Sequence, residues 1–174
     1  FEAGIFKHDF LTLGGGSNIL FTKPYLGHII KISNKGITAK ISGDDVFVTA
    51  AGGEIWNDLV WYCVNHNYSG IENMALIPGT VGASPIQNIG AYGMELMNIF
   101  HSCEAFDTQE GVFKTFQSED CHFSYRESIF KTTYKGRFII TEVTYKLSTN
   151  PNINVSYGAI SSELEKRNIV SPTI

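Results

Sequence analysis

The sequence predicts an α+β fold, rich in strands and poor in helices. Three observations lead there: short β-branched runs separated by Gly, Asn and Asp turn signals, one apolar stripe at helical spacing, and no internal repeat. With 174 residues the chain can form one medium domain or two small ones around a real core. Apolar residues at 43% and aromatics at 13% place it among folded proteins.

Phe10 to Leu13 reads as a strand that runs into Gly14-Gly15-Gly16-Ser17-Asn18, and Ile19-Leu20-Phe21 follows as a further β-rich run. His28 to Ser33, Gly36 to Ile41 and Val46 to Ala51 are the next strands, each bounded by turn residues. The best helix candidate spans Gly53 to Asn67, where Ile55, Leu59 and Cys63, with Trp56 and Val60, form the stripe. Trp56 and Trp61 read as core or edge packing. Later strands are Ile99 to Asp107, Gly111 to Phe116 and Phe138 to Leu147, the last closing at Ser148-Thr149-Asn150-Pro151, the best boundary candidate. A short helix begins at Ser161 and runs to Lys166.

A net charge of −4 with 13 Lys+Arg leaves no basic tract, which argues against a nucleic-acid partner. No apolar run reaches the length of a membrane span, so no membrane partner is expected. Cys63, Cys103 and Cys121 lie far apart in sequence without a C-x-x-C pair. A reducing cytoplasm and a packing role therefore fit them better than metal ligation or a disulfide framework. No metal site is expected.

The most informative stretch runs from Asn73 to Met94 and carries no charge at all. Gly79, Gly82, Gly90 and Gly93 let its backbone approach closely, and Thr80, Ser84, Gln87, Asn88 and Tyr92 interleave neutral hydrogen-bonding groups. That composition suits the wall of a large, partly apolar ligand site, or else a buried crossover between strands. Gly14-Gly15-Gly16-Ser17-Asn18 follows a strand and could converge backbone N–H groups on a phosphate. It matches neither a Walker loop nor a Rossmann turn, because Ile-Leu-Phe-Thr-Lys-Pro follows instead of a helix. The residues alone leave a phosphate loop of another kind or a plain tight turn. A third cluster, Cys121 to Lys131, sets Arg126 among aromatic and small polar residues. Arg126 could bind a carboxylate or stabilise developing negative charge, or simply pair with Glu127 at the surface. His122 reads as packed or solvated.

Three segments occur in order: Gly-Gly-Gly-Ser-Asn, then Ile-Pro-Gly-Thr-Val-Gly-Ala-Ser-Pro-Ile-Gln-Asn-Ile-Gly-Ala-Tyr-Gly, then Tyr-Arg-Glu-Ser-Ile-Phe-Lys. Together they closely resemble the UDP-N-acetylenolpyruvoylglucosamine reductase (MurB) family, over nearly the whole chain. The middle motif is highly specific. The resemblance implies an FAD-binding fold of the vanillyl-alcohol-oxidase-like (PCMH) type, in which two α+β subdomains clasp an extended FAD. It implies that Gly14, Gly15, Gly16, Ser17 and Asn18 cradle the pyrophosphate. Ile77, Pro78, Gly79, Val81, Gly82, Ala83, Ser84, Gln87, Asn88, Gly90, Ala91 and Tyr92 are implied to line the rest of the cofactor. Tyr125 and Arg126 are implied to face flavin and substrate, with Arg126 catalytic.

The implied reaction uses NADPH as hydride donor to the flavin and reduces UDP-N-acetylglucosamine enolpyruvate to UDP-N-acetylmuramate, in peptidoglycan precursor synthesis in the bacterial cytoplasm. By the same resemblance, residues 1–33 belong to a first FAD-binding subdomain, 34–150 to a second, and 151–174 to the start of a C-terminal substrate-binding domain. The family's proton-donating serine lies in an Asn-Ala-Gly-Ser-Phe-Phe-Lys-Asn-Pro-like segment, which does not occur here. The chain is thus expected to be the FAD-binding portion, truncated at both ends and inactive alone. The alternatives are another oxidoreductase on the same fold, a non-catalytic FAD or nucleotide module, and a cofactor-free carbohydrate- or protein-binding domain.

Overall fold

A computed structural model describes residues 4–174. Its scaffold is a five-stranded antiparallel sheet built from β3 (Ile37–Ser42), β4 (Asp45–Ala51), β7 (Phe100–Asp107), β8 (Val112–Gln117) and β9 (Phe138–Ser148), in the order β3-β4-β9-β7-β8. The 11-residue β9 is central and pairs with β4 on one side and β7 on the other. Its β-branched and aromatic residues alternate: Val143, Tyr145 and Leu147 are buried, while Glu142 and Lys146 face water. Along β4, Val46, Val48 and Ala50 point to the same interior.

That interior is closed by helix α1 (Trp56–Asn65) and by a 3₁₀ segment, Val81–Gln87. Trp56, Leu59, Val60 and Cys63 form the buried face of α1. The Trp56 and Tyr145 rings meet edge to face with centroids 5.7 Å apart, and Trp56 Nε1 donates to the Met74 carbonyl at 2.8 Å. Ser84 Oγ and Tyr145 Oη share a hydrogen bond of 3.1 Å, which seats the 3₁₀ segment on β9. A second cluster, Phe116, Phe130, Tyr134 and Phe138, ties residues 118–137 to β8 and β9 through edge-on ring contacts.

A separate two-stranded parallel sheet joins β1 (Phe10–Leu13) to β2 (His28–Lys31). Parallel strands need a long connection, and here that connection begins with the glycine loop. A short hairpin of β5 (Gly90–Ala91) and β6 (Met94–Glu95) and a terminal helix, α2 (Gly158–Lys166), complete the fold.

The structure corrects three sequence-based expectations. Ile19-Leu20-Phe21 is not a strand; no other segment among the described residues pairs with it, and Leu20 is 84% exposed. Ile55 precedes α1 in extended conformation and stands outside its buried face. Trp61 lies on the solvent side of the helix, whereas Trp56 is core.

Candidate functional site

Strand β1 delivers the chain directly into the glycine loop, which is laid against residues 79–80. A Cβ on Gly14 would lie 2.5 Å from Thr80 Oγ1, and one on Gly15 would lie 3.4 Å from the Gly79 Cα. The loop turns through the left-handed region at Gly16, with φ +75°. Among the described residues, the backbone N–H groups of Gly15, Gly16, Ser17 and Asn18 have no hydrogen-bond partner. A row of unspent amides is what an anion needs.

The facing wall follows from how residues 79–82 run beside residues 52–56. Trp56 N–H donates to the Gly79 carbonyl at 3.1 Å, Val81 N–H to Glu54 at 2.9 Å, and Gly82 N–H to Gly52 at 2.8 Å. A Cβ on Gly82 would sit 2.9 Å from the Ile140 carbonyl oxygen and 3.1 Å from the Gly52 Cα, so this packing requires glycine.

Between the two walls lie adjoining cavities of about 360 Å³ and 310 Å³, within the range of ligand pockets. Thr12, Gly14, Thr80, Ala83, Ile86 and Lys131 border both, so they form one trough. The smaller cavity holds the glycine loop with Pro78, Gly79, Ser84, Gln87 and Ile89. The larger is more apolar, bounded by Phe10, Ile32, Phe130, Phe138 and Ile140 with Gly82 at its wall and Lys135 beside them. The glycine loop offers an anion site in the smaller cavity and the larger one an apolar surface, so the trough suits an extended ligand that carries both an anionic and a flat apolar part.

Several residues expected to line the cofactor border neither cavity. Val81 is buried in the core. Asn88 is also fully buried, with φ +44°; its amide donates to Glu95 Oε2 and to the Ser124 carbonyl, each at 2.9 Å, and its Oδ1 accepts from Met97 N–H at 2.9 Å. Those bonds fasten the hairpin to the turn that carries Arg126. Ile77 packs on the core margin, while Gly90, Ala91 and Tyr92 form the hairpin itself. Thr80, singled out in the sequence as a neutral hydrogen-bonding group, borders both cavities, whereas Ile86, inside the same stretch, and Lys131, at the end of the third cluster, were given no role.

Arg126 occupies a tight turn in which Ser124 and Glu127 exchange backbone hydrogen bonds of 3.1 Å. Its backbone is left-handed, φ +57°, which is uncommon for a non-glycine residue and a mark of functional turns. The guanidinium donates through Nη2 to the Gly90 carbonyl at 2.8 Å and stands 5.8 Å from the Tyr125 ring. Among the described residues Arg126 joins no ion pair, so the surface pairing with Glu127 does not form. Tyr125 is 80% exposed.

The buried groups with raised pKa belong to the core. Burial pushes the Tyr145 phenol up, with the Ser84 hydrogen bond opposing, and burial with the nearby Glu72 charge pushes the Cys63 thiol up to about 12. Interaction with the neighbouring Cys121 thiol, and then burial, raise the Cys103 pKa. The raised Cys63 and Cys103 thiols stay neutral and are poor nucleophiles.

A sequence family described as "FAD binding domain" matches residues 2–115, and the chain belongs to that family. Its cofactor is accordingly FAD. Among curated proteins, the UDP-N-acetylenolpyruvoylglucosamine reductase of Amoebophilus asiaticus is 49% identical over 156 residues, covering 88% of this chain and 46% of that protein. The enzyme of the same name from Flavobacterium johnsoniae is 49% identical over 164 residues, covering 93% and 49%. The chain thus spans about half the length of these relatives. The crystal structure of UDP-N-acetylenolpyruvylglucosamine reductase (MurB) from Thermus caldophilus superposes with a TM-score of 0.66 at 21% identity, over 97% of this chain and 59% of that one. Cholesterol oxidase from Brevibacterium sterolicum gives 0.56 at 15% identity, over 82% and 30%. These likenesses fix the fold as the expected α+β FAD-binding type of the vanillyl-alcohol-oxidase-like proteins. No helix among the described residues is long and apolar enough to cross a membrane.

Proposed function

We propose that this chain is the FAD-binding part of a UDP-N-acetylenolpyruvoylglucosamine reductase, which reduces UDP-N-acetylglucosamine enolpyruvate to UDP-N-acetylmuramate with NADPH in bacterial peptidoglycan precursor synthesis in the cytoplasm. The observation that carries this reading is 49% identity to enzymes of that name across about nine-tenths of the chain. The trough between the glycine loop and residues 79–83 supports the cofactor half of it. Residues 1–33 and 34–150 are assigned to the two subdomains that clasp FAD, and 151–174 to the start of a substrate-binding domain.

FAD in the trough supplies the redox chemistry, passing reducing equivalents from NADPH to the enolpyruvyl group. The chain's own residues orient and neutralise. The free amides of Gly15 to Asn18 receive the pyrophosphate, with Ser17 and Asn18 side chains as further donors. Pro78, Gly79, Gly82, Ala83, Ser84 and Gln87 hold the remaining cofactor through close, uncharged contact. Asn88, Gly90, Ala91 and Tyr92 serve the same site indirectly, as the hairpin on which the Arg126 guanidinium rests.

Arg126 is the residue assigned to catalysis. Its unpaired charge and its donors beyond the Gly90 bond suit the substrate carboxylate, where negative charge grows during reduction. Tyr125 provides the adjoining aromatic surface. The test is NADPH oxidation by the flavin-loaded, intact protein with and without the enolpyruvyl sugar nucleotide. Substrate-dependent oxidation is the expected result. Flavin reduction by NADPH with no turnover of this substrate would assign the fold to another oxidoreductase.

A further inference from the structure

Among the described residues, Lys131 is the only charged side chain bordering the smaller cavity, the one that contains the glycine loop. It also borders the larger cavity, so it stands at their junction. Its Nζ donates to the carbonyl oxygen of Arg126 at 2.9 Å. An ammonium carries three N–H donors, so this bond leaves others for a group in the trough. The base of the side chain is fixed as well. Ser128, buried, donates from Oγ to the Ile86 carbonyl at 2.8 Å, and Lys131 N–H donates to the Ser128 carbonyl at 3.1 Å.

We propose that Lys131 is the counter-charge for the diphosphate of the bound dinucleotide and, through its hydrogen bond to the Arg126 carbonyl, the positioning residue that sets Arg126 in its left-handed turn. The inference rests on the reading of the trough as the FAD site and extends it. The glycine loop offers only neutral donors, while the diphosphate brings two negative charges. One cation at the trough's junction, whose stem springs from the Arg126 turn, answers both needs. Cofactor occupancy and the placement of Arg126 are thereby coupled through a single side chain.

The experiment is titration of FAD into the intact apo-protein at low and high salt, for wild type, Lys131→Met and Lys131→Arg, followed by stopped-flow half-reactions at saturating FAD. Lys131→Met is expected to weaken FAD binding roughly tenfold or more and to flatten its salt dependence, as loss of a charge-assisted bond requires. Lys131→Arg should restore most of the affinity. At saturation, Lys131→Met should keep its rate of flavin reduction by NADPH and reoxidise more slowly with the enolpyruvyl substrate. Lys131 is exposed, so neither variant removes core packing. Wild-type binding of FAD with equal affinity and salt response in Lys131→Met overturns the counter-charge role, and unchanged reoxidation overturns the positioning role. A wild-type protein that takes up no FAD overturns the trough reading itself, and this inference with it.

Discussion

Arg126 is the residue proposed above to carry the chemistry of the site, and its geometry makes that proposed contribution separable from cofactor binding. Its guanidinium rests on Gly90 and its carbonyl on Lys131. Lysine in its place keeps the charge and loses the planar fork. Arg126→Lys should therefore leave FAD uptake within about twofold while slowing reduction of the substrate by roughly a hundredfold, as expected for an interaction strongest in the transition state. Equal loss of FAD affinity and turnover would make the residue structural. Gly82 is a second single-residue test. Its missing Cβ faces backbone atoms of Ile140 and Gly52, which cannot swing aside. Gly82→Ala should cost about 2 kcal/mol or more in urea unfolding. At this scale the sequence was partly legible. Glycines and a lone arginine announce themselves by type, but the absence of a Glu127 pair and the reach of Lys131 depend on folded geometry alone.

At the scale of elements, stability divides between the sheet interior and its far edge. Leu59 is fully buried on α1, so Leu59→Ala should destabilise the protein by about 2–5 kcal/mol, read as a lower denaturation midpoint. At the end of β7 the buried Asp107 carboxylate accepts from Arg137 Nε at 3.0 Å and Nη2 at 2.6 Å, and pairs with Lys114 Nζ at 3.0 Å. The Arg137 bonds, chiefly, hold its pKa well below the ordinary carboxylate range, against the opposing effect of burial. A depressed carboxylate stabilises the fold fully above its unfolded pKa, near 4, and loses that contribution as pH falls toward its folded value. Asp107→Asn should thus be less stable than wild type at pH 7, with the gap narrowing as the solution is acidified below about pH 4. A gap independent of pH would mean the pairing contributes nothing through charge. Most strands were legible because β-branched alternation with glycine punctuation is local, with ends off by a residue or so. Ile19-Leu20-Phe21 misled because composition cannot supply a pairing partner, and the stripe in α1 lost Ile55 because the helix starts one residue later.

Across the whole molecule, a sheet, a helix and two glycine-bearing segments converge on one trough. The parallel β1–β2 pair brings the glycine loop to it, β9 and the Val81–Gln87 segment supply its floor, and the 124–131 turn brings Lys131 to its junction and Arg126 to the hairpin beside it. The ordered motifs made this convergence legible as a family resemblance. Which face each motif residue shows could not be read there, since Val81 and Asn88 sit among residues of the same composition yet turn inward to hold the scaffold. The central claim is that the trough carries FAD and that NADPH reduces it. The most direct measurement is the visible absorbance spectrum of the intact protein, taken with added FAD and freed of excess, before and after NADPH under anaerobic conditions. A protein-bound flavin spectrum that bleaches on NADPH addition is the predicted result. A protein that remains colourless after incubation with excess FAD would contradict the account at its centre.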